Sequence, residues 1–312
     1  MYDLTVPQTA VAAGRGMRPQ WCEEFLASLE VSPASAATYR RALRQFLQYL
    51  YVNEIRQPLR ADVLAYRDAL RERVKPATVQ GYITVVKLFF IWLELKGYYA
   101  DIARKIKGAK LTREHKKDYL TARQAKTVLK AFATDTEKGA RDYALFRLML
   151  TAGLRTIEVA RADIGDMRPA GGEMVLYIQG KGRQEKSEFV LLEAATERAI
   201  RDYWALRQPG GQGEPLFASI SNHNRHGRMT TRSISRIAKQ ALIKAGLDSE
   251  RLTAHSLRHT TATLNLLAGA SPEETQQLLR HANINTTMIY SHHIDRLQNK
   301  SAARVAAAID EA

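Results

Sequence analysis

HSLRHTTATLNLLAGASPEETQQLLRHANINTTMIYSHH, residues 255–293, is the stretch whose reading decides this chain. Helices are predicted around 256–268 and 272–280, with Tyr290 in a short helical segment after NTTM. His255 and Arg258 stand three apart and so share a helix face, where two such groups can hold the non-bridging oxygens of a phosphate. His281 follows, then the phenol of Tyr290, with no metal-ligand or nucleotide motif between them. That combination suits phosphoryl transfer to tyrosine, with Tyr290 as the nucleophile.

Working outward, 312 residues favour two domains. A net charge of +15 and a pI near 9.9 point to a polyanion, a condition met by nucleic acid and by an anionic membrane surface. No apolar run approaches the length of about 18 residues needed to span a bilayer. The opening MYDLTVPQTAVAAGRGM lacks a charged segment ahead of an apolar one, so no membrane role is expected and the expected compartment is the cytoplasm. The single cysteine, Cys22, permits neither an internal disulfide nor a thiolate metal cluster, and in WCEEFLASL it reads as a packing residue.

Residues 1–16 are small, polar and glycine-containing, and are expected to form a flexible arm. From 17 to 99 the pattern is helical. Tyr39, Leu43, Phe46, Leu47 and Leu50 make one apolar stripe of a helix entered through Ser32 and Pro33. With helices expected around 19–30, 60–74 and 76–97, this is a four-helix unit. Arg40, Arg41 and Arg44 lie off the stripe, while Gln80, Thr84 and Lys87 share one face of the helix after Pro76; both sets are candidate DNA contacts. Residues 100–118 contain DIARKIKGAKLTREHKK, seven Lys or Arg against two acidic residues, expected to be a basic linker that tracks a phosphate backbone. In residues 119–312, TARQ at 121–124 is a capping box. Further helices are expected up to 134 and around 139–151, 193–207, 231–245 and 295–309, and EMVLYIQG and KSEFVLL form a strand, turn and strand through KGRQE. The expected fold is mainly α in two domains, a helical bundle followed by a mostly helical α+β catalytic domain with a small antiparallel sheet.

HxxRH at 255–259, LLxH at 278–281 and a tyrosine nine positions later resemble the tyrosine recombinase family, which includes phage integrases and Xer-type recombinases. TAGLRTIEV at 151–159 resembles that family's first arginine box, giving Arg155 and Glu158; GKGRQEK at 180–186 resembles the hairpin of its catalytic lysine, Lys181. The match runs from about Arg18 to the C-terminus. The family usually has glycine ahead of the second histidine; here stands Arg280, a long cation that would add a phosphate contact or crowd the pocket. The resemblance implies site-specific recombination of double-stranded DNA through a 3′-phosphotyrosyl intermediate and a Holliday junction. It further implies a SAM-like core-binding domain ahead of the catalytic one, a C-shaped clamp on DNA and a homo-oligomer, tetrameric on DNA. In that tetramer the terminal helix within IDRLQNKSAARVAAAIDEA docks on the next protomer. Bond energy stays in the phosphotyrosine, so no cofactor, ATP or metal is required, and no separate N-terminal arm-binding domain is expected.

Strand exchange of this kind needs fixed cations where negative charge develops, a base for the phenol and a proton for the departing 5′ oxygen. Arg155 and Arg258 are the expected clamp, because a guanidinium binds two oxygens at once. Lys181 is the expected general acid. His255 and His281 donate to the phosphate, with His255 also placed to take the tyrosine proton. Glu158 orients a catalytic cation, and His259 is a packed helix residue that orients a neighbour. His255 and His259 also have the i, i+4 spacing of HExxH zinc sites, but Ser256 stands where the glutamate should be, so no metal is expected. Tyr290 is expected to be mobile and exposed, with cations depressing its pKa. Two rivals are a type IB topoisomerase-like relaxing enzyme, opposed by the helical N-terminal unit, and a non-catalytic DNA-binding protein, opposed by the intact set of six.

Overall fold

The computed structural model describes residues 17–110, 118–180 and 185–310. The chain divides into two compact units, Met1–Glu114 and His115–Ala312. The expected arm at 1–16, Lys181 and part of the basic run lie outside the described residues.

In the first unit Ser32 accepts the Ser35 N–H at 3.2 Å and Pro33 fills the first turn, so α2 (Pro33–Val52) starts where a capped helix should. It packs with α1 (Gln20–Ala27), α3 (Arg60–Arg73) and α4 (Pro76–Leu95). The stripe turns inward: Leu43, Phe46 and Leu50 are buried, with Tyr39 and Leu47 at the margin. Aromatic rings lock the centre, Phe46 standing edge-on to Tyr66 at 5.1 Å and to Phe90 at 5.9 Å. Cys22 is buried here and its thiol is pushed up to about 12, chiefly by burial. One expectation is corrected: α4 is long and apolar enough to cross a membrane. Its Val79, Ile83, Val86, Phe89, Phe90 and Leu93 lie in the core of this unit.

The chain after α4 does not leave as a bare linker. Ala103 and Ile106 are buried in the same core, and the Tyr99 hydroxyl donates to the Pro58 carbonyl at 2.9 Å. Arg67 and Arg71 of α3 donate to the carbonyls of Lys107 at 3.3 Å and Gly108 at 3.0 Å. Charge counting hid the two apolar anchors inside the basic run.

The second unit contains α5 (Ala122–Lys130), α6 (Glu137–Thr151), α7 (Thr156–Arg161), β1 (Met167–Ala170), β2 (Glu173–Ile178), β3 (Glu188–Leu191) and α8 (Ala194–Arg207). After these come α9 (Thr231–Lys244), α10 (Ala254–Leu267), α11 (Pro272–Leu279), α12 (Asn285–Gln298) and α13 (Ser301–Asp310). The capping box closes as expected, Thr121 accepting the Gln124 N–H at 3.2 Å while the Gln124 side chain accepts the Thr121 N–H at 2.9 Å. The antiparallel sheet has order β1-β2-β3, with Leu176 opposite both Met167 and Val190. Strand β1 was not anticipated. Its signal was the Gly171–Gly172 pair, both with positive φ (62° and 87°), which make the two-residue turn into β2. The helix expected over 295–309 is instead the end of α12 and all of α13, divided where Asn299 takes an extended conformation.

Helix α10 is the hub. Nine of its residues are buried, and its threonine hydroxyls fasten neighbours rather than facing water. Thr261 donates to the Leu150 carbonyl at the end of α6 (2.6 Å), and Thr260 accepts the Leu120 N–H (2.8 Å). The elements bearing site residues are thereby tied to one axis.

Candidate active site

Arg155 caps the start of α7 in extended conformation, so its side chain leaves from a helix junction. Its Nη1 donates to Glu158 Oε1 at 2.7 Å and its backbone N–H to Oε2 at 2.8 Å. Glu158, one turn on, is fully buried. It holds the arginine by both its side chain and its backbone N–H.

Arg258 descends from α10 into the interior and is 2% exposed. Its Nη1 donates to the Gly153 carbonyl at 2.6 Å and its Nη2 to the Leu279 carbonyl, joining the end of α6 to the end of α11. Gly153 is required there: its φ is +59°, and a Cβ would stand 2.5 Å from Leu279 Cδ2. Burial, with the charges of Arg155 and Arg280, pulls the Arg258 guanidinium down to about 9. Arg155 and Arg280 pair with Glu158 while Arg258 binds backbone carbonyls, a concentration of positive charge that an anionic phosphate would balance.

His281 follows directly on the end of α11. Its Nδ1 lies 2.9 Å from the Thr287 hydroxyl at the start of α12, and burial, then Arg258 and Arg155, lower its pKa to about 4. The ring is therefore neutral near pH 7. Tyr290, one turn beyond Thr287, stacks parallel to His281 at 6.5 Å and meets the His259 ring at 5.2 Å. His259 in turn stands edge-on to His255 at 4.6 Å. His259 is buried and contacts both neighbours, while His255 is exposed.

Two expectations for Tyr290 are corrected. The residue is only 6% exposed, packed against Ala262 and Leu279, and burial pushes its phenol up to about 12 despite the opposing charge of Arg258. Desolvation outweighs the cation because the ring sits between α10 and α11, which its flanking polar residues could not reveal.

Arg155 and His255 open onto a cavity of about 770 Å³ that is also lined by Thr156, Ser233, Arg236 and Lys239. Sequence reasoning missed the basic face of α9. Its signal was available: Arg232, Arg236 and Lys239 alternate with the buried Ile234, Ala238, Ala241 and Leu242 at helical spacing. Also missed was Lys186, whose Nζ binds Asp163 at 2.6 Å and Asp166 at 2.5 Å, pinning the β3 end of the hairpin that carries Lys181. Among the described residues no group of three or more His, Cys, Asp or Glu is placed to hold a metal ion. In the other unit Arg40 is engaged by Glu23 at 2.7 Å, Arg41, Arg44 and Thr84 are exposed, and Gln80 and Lys87 are half-buried.

The model of the phage integrase family matches residues 118–296, and that of the phage integrase N-terminal SAM-like domain matches residues 20–97. The chain belongs to the phage integrase family. A tyrosine recombinase XerC of Pelobacter propionicus is 28% identical over 273 residues, covering 86% of this chain and 87% of its own. The XerC of Corynebacterium glutamicum is 30% identical over 226 residues, 72% of this chain and 70% of its own, and a XerD of Listeria monocytogenes is 29% identical over 285 residues, 86% and 93%. In fold, this integrase-family chain is similar to XerH recombinase in a post-cleavage complex with palindromic difH (TM-score 0.74, 20% identity, 96% of this chain and 92% of that one). It is also similar to a lambda integrase tetramer bound to a Holliday junction (TM-score 0.68, 16% identity, 87% and 76%).

Proposed function

We propose that this chain is a tyrosine-type site-specific DNA recombinase that acts in the cytoplasm as a homotetramer on double-stranded DNA. The observation that carries the reading is the convergence of Arg155, Arg258, His255 and His281 from three separate segments around Tyr290, beside an arginine- and lysine-lined cavity. Relatives named tyrosine recombinases and neighbours bound to DNA support it.

In the proposed step Tyr290 Oη bonds to the scissile phosphorus and the bond from phosphorus to the 5′ oxygen breaks. A 3′-phosphotyrosine and a 5′-hydroxyl result. Arg155 and Arg258 hold the non-bridging oxygens, where each donor aimed at developing charge contributes several kcal/mol. The neutral phenol gives its proton to a base, assigned to His255. Lys181 delivers a proton to the leaving oxygen, and His281, fixed by Thr287, donates to the phosphate. Attack by the 5′-hydroxyl of a partner strand reverses the step and builds the Holliday junction. The phosphotyrosine conserves the bond energy, so the cycle draws on no cofactor.

Duplexes selected from a random pool on the purified full chain supply the substrate for a test. With a nicked version, parental protein is expected to trap as a covalent adduct on a denaturing gel. Tyr290→Phe should bind the same duplex and form none, because the hydroxyl contributes to the transition state and little to ground-state contacts. Equal adduct from the Phe variant overturns the assignment.

A further inference from the structure

Arg280 occupies a position that an arginine has no local reason to hold. It caps α11 with φ 54° and ψ 49°, the left-handed conformation in which glycine sits without strain and most side chains do not. The side chain is 8% exposed, neither reaching into the cavity nor crowding it. Its Nη1 donates to the Leu278 carbonyl at 2.7 Å and its Nη2 to Glu158 Oε2 at 3.2 Å, across 122 residues of sequence.

Glu158 therefore lies between two guanidiniums. Arg280 and the Arg155 N–H occupy Oε2, while Arg155 Nη1 occupies Oε1. A buried carboxylate facing a single arginine favours the two-pronged pairing in which both oxygens meet one guanidinium. Here Oε2 is held by two donors, the Arg155 N–H at 2.8 Å and Arg280 Nη2 at 3.2 Å, so the Arg155 side chain meets Oε1 alone. Arg155 engages Glu158 through one Nη, and its other donors remain for an anion in the cavity it lines.

We propose that Arg280 is a positioning residue for strand cleavage: sharing Oε2 with the Arg155 N–H, it fixes the Glu158 carboxylate so that Arg155 stays bound end-on with its remaining donors aimed at the phosphate. This rests on the recombinase reading above. A buried cation that acts through another residue should change the rate of the chemical step and leave DNA affinity alone.

Single-turnover cleavage of the nicked duplex by the full chain tests the proposal, with duplex affinity and melting temperature measured on the same proteins. Arg280→Gly, which relaxes the left-handed cap but leaves buried Glu158 with one partner fewer, should bind with unchanged Kd and cleave about tenfold more slowly, the size of a typical coupling between contacting residues. Arg280→Lys keeps the strain and the charge and should recover most of the rate. Arg280→Ala keeps the strain without the charge and should match the glycine variant. In a Glu158→Gln background, removing Arg280 should add less than about a twofold loss.

Parental cleavage by Arg280→Gly overturns the proposal, and so does a slow Ala variant beside a parental Gly variant, which would assign the effect to backbone strain. A Kd that rises as far as the rate falls would make Arg280 a direct DNA contact instead. An undiminished loss in the Glu158→Gln background removes Glu158 from the pathway. If the parent forms no adduct at all, the recombinase reading itself fails, a result distinct from every one of these.

Discussion

At the scale of single residues, Tyr290 sits where two effects oppose each other. Arg258 favours the phenolate and burial disfavours it, and burial prevails, pushing the group up to about 12. The free protein thus holds the Tyr290 phenol protonated, and in the proposed cleavage step its ionisation would be coupled to loss of the proton to a base. His281 shows the same contest with the sign reversed for a cation. Its folded pKa of about 4 lies below the ordinary 6.5, so between those values the unfolded chain binds more protons than the native one. Stability is complete above 6.5 and falls as the pH drops towards 4, by about 3 kcal/mol from this group. Denaturant titrations at about pH 7.5 and about pH 4.5 should show that loss in the parent and a much smaller one in His281→Asn. Equal slopes for the two proteins would mean that the ring is not desolvated as described.

At the scale of elements, the end of α6, the cap of α7 and the end of α11 meet at Gly153. Its carbonyl binds Arg258, its φ is +59°, and Leu279 fills the space that a side chain would need. Gly153→Ala combines backbone strain with a steric clash and is expected to cost about 2 kcal/mol or more. The shift should appear as a lower denaturation midpoint at unchanged m-value, and a variant as stable as the parent would remove Gly153 from the structural argument. The capping box, the stripe of α2 and the β2–β3 hairpin were all legible because each depends on residues a few positions apart. Strand β1 was overlooked although its Gly171–Gly172 turn was in plain view, since four residues containing Pro169 carry little periodicity. Lys181 lies outside the described residues, and its assignment rests on order along the chain together with the Lys186 anchor beside it.

At the scale of the whole molecule, α13 stands out among the described residues by its exposure. It buries none of its residues, and Val305 and Ile309, one turn apart, are 60% and 69% exposed. A ten-residue helix is marginal alone in water, so an apolar strip of this kind gains by docking elsewhere. Truncation after Asn299 should leave the melting temperature and single half-site binding near parental while abolishing cooperative binding to paired half-sites. Gel shifts on one and two half-sites check this. Unchanged cooperativity would separate α13 from assembly, and a lower melting temperature would show that it supports its own chain.

By itself the sequence determined the family, the division into a helical unit and a mixed one, and the order Arg155, Lys181, His255, Arg258, His281 and Tyr290. The division is carried by composition and by spacings within one helix or turn, which backbone periodicity converts directly into shared faces. The family and the residue order are carried by the resemblance of the motifs to those of tyrosine recombinases. Only the tertiary structure decided that Tyr290 is buried with its phenol pushed up to about 12, that residues 98–110 pack on the first unit, and that Arg280 turns to Glu158 instead of into the cavity. Desolvation and ion pairing depend on which side chains arrive from elsewhere: Arg258 meets Gly153 across 105 residues and Arg280 meets Glu158 across 122. No local pattern encodes those meetings, because packing of α6, α7, α10 and α11 brings the partners together.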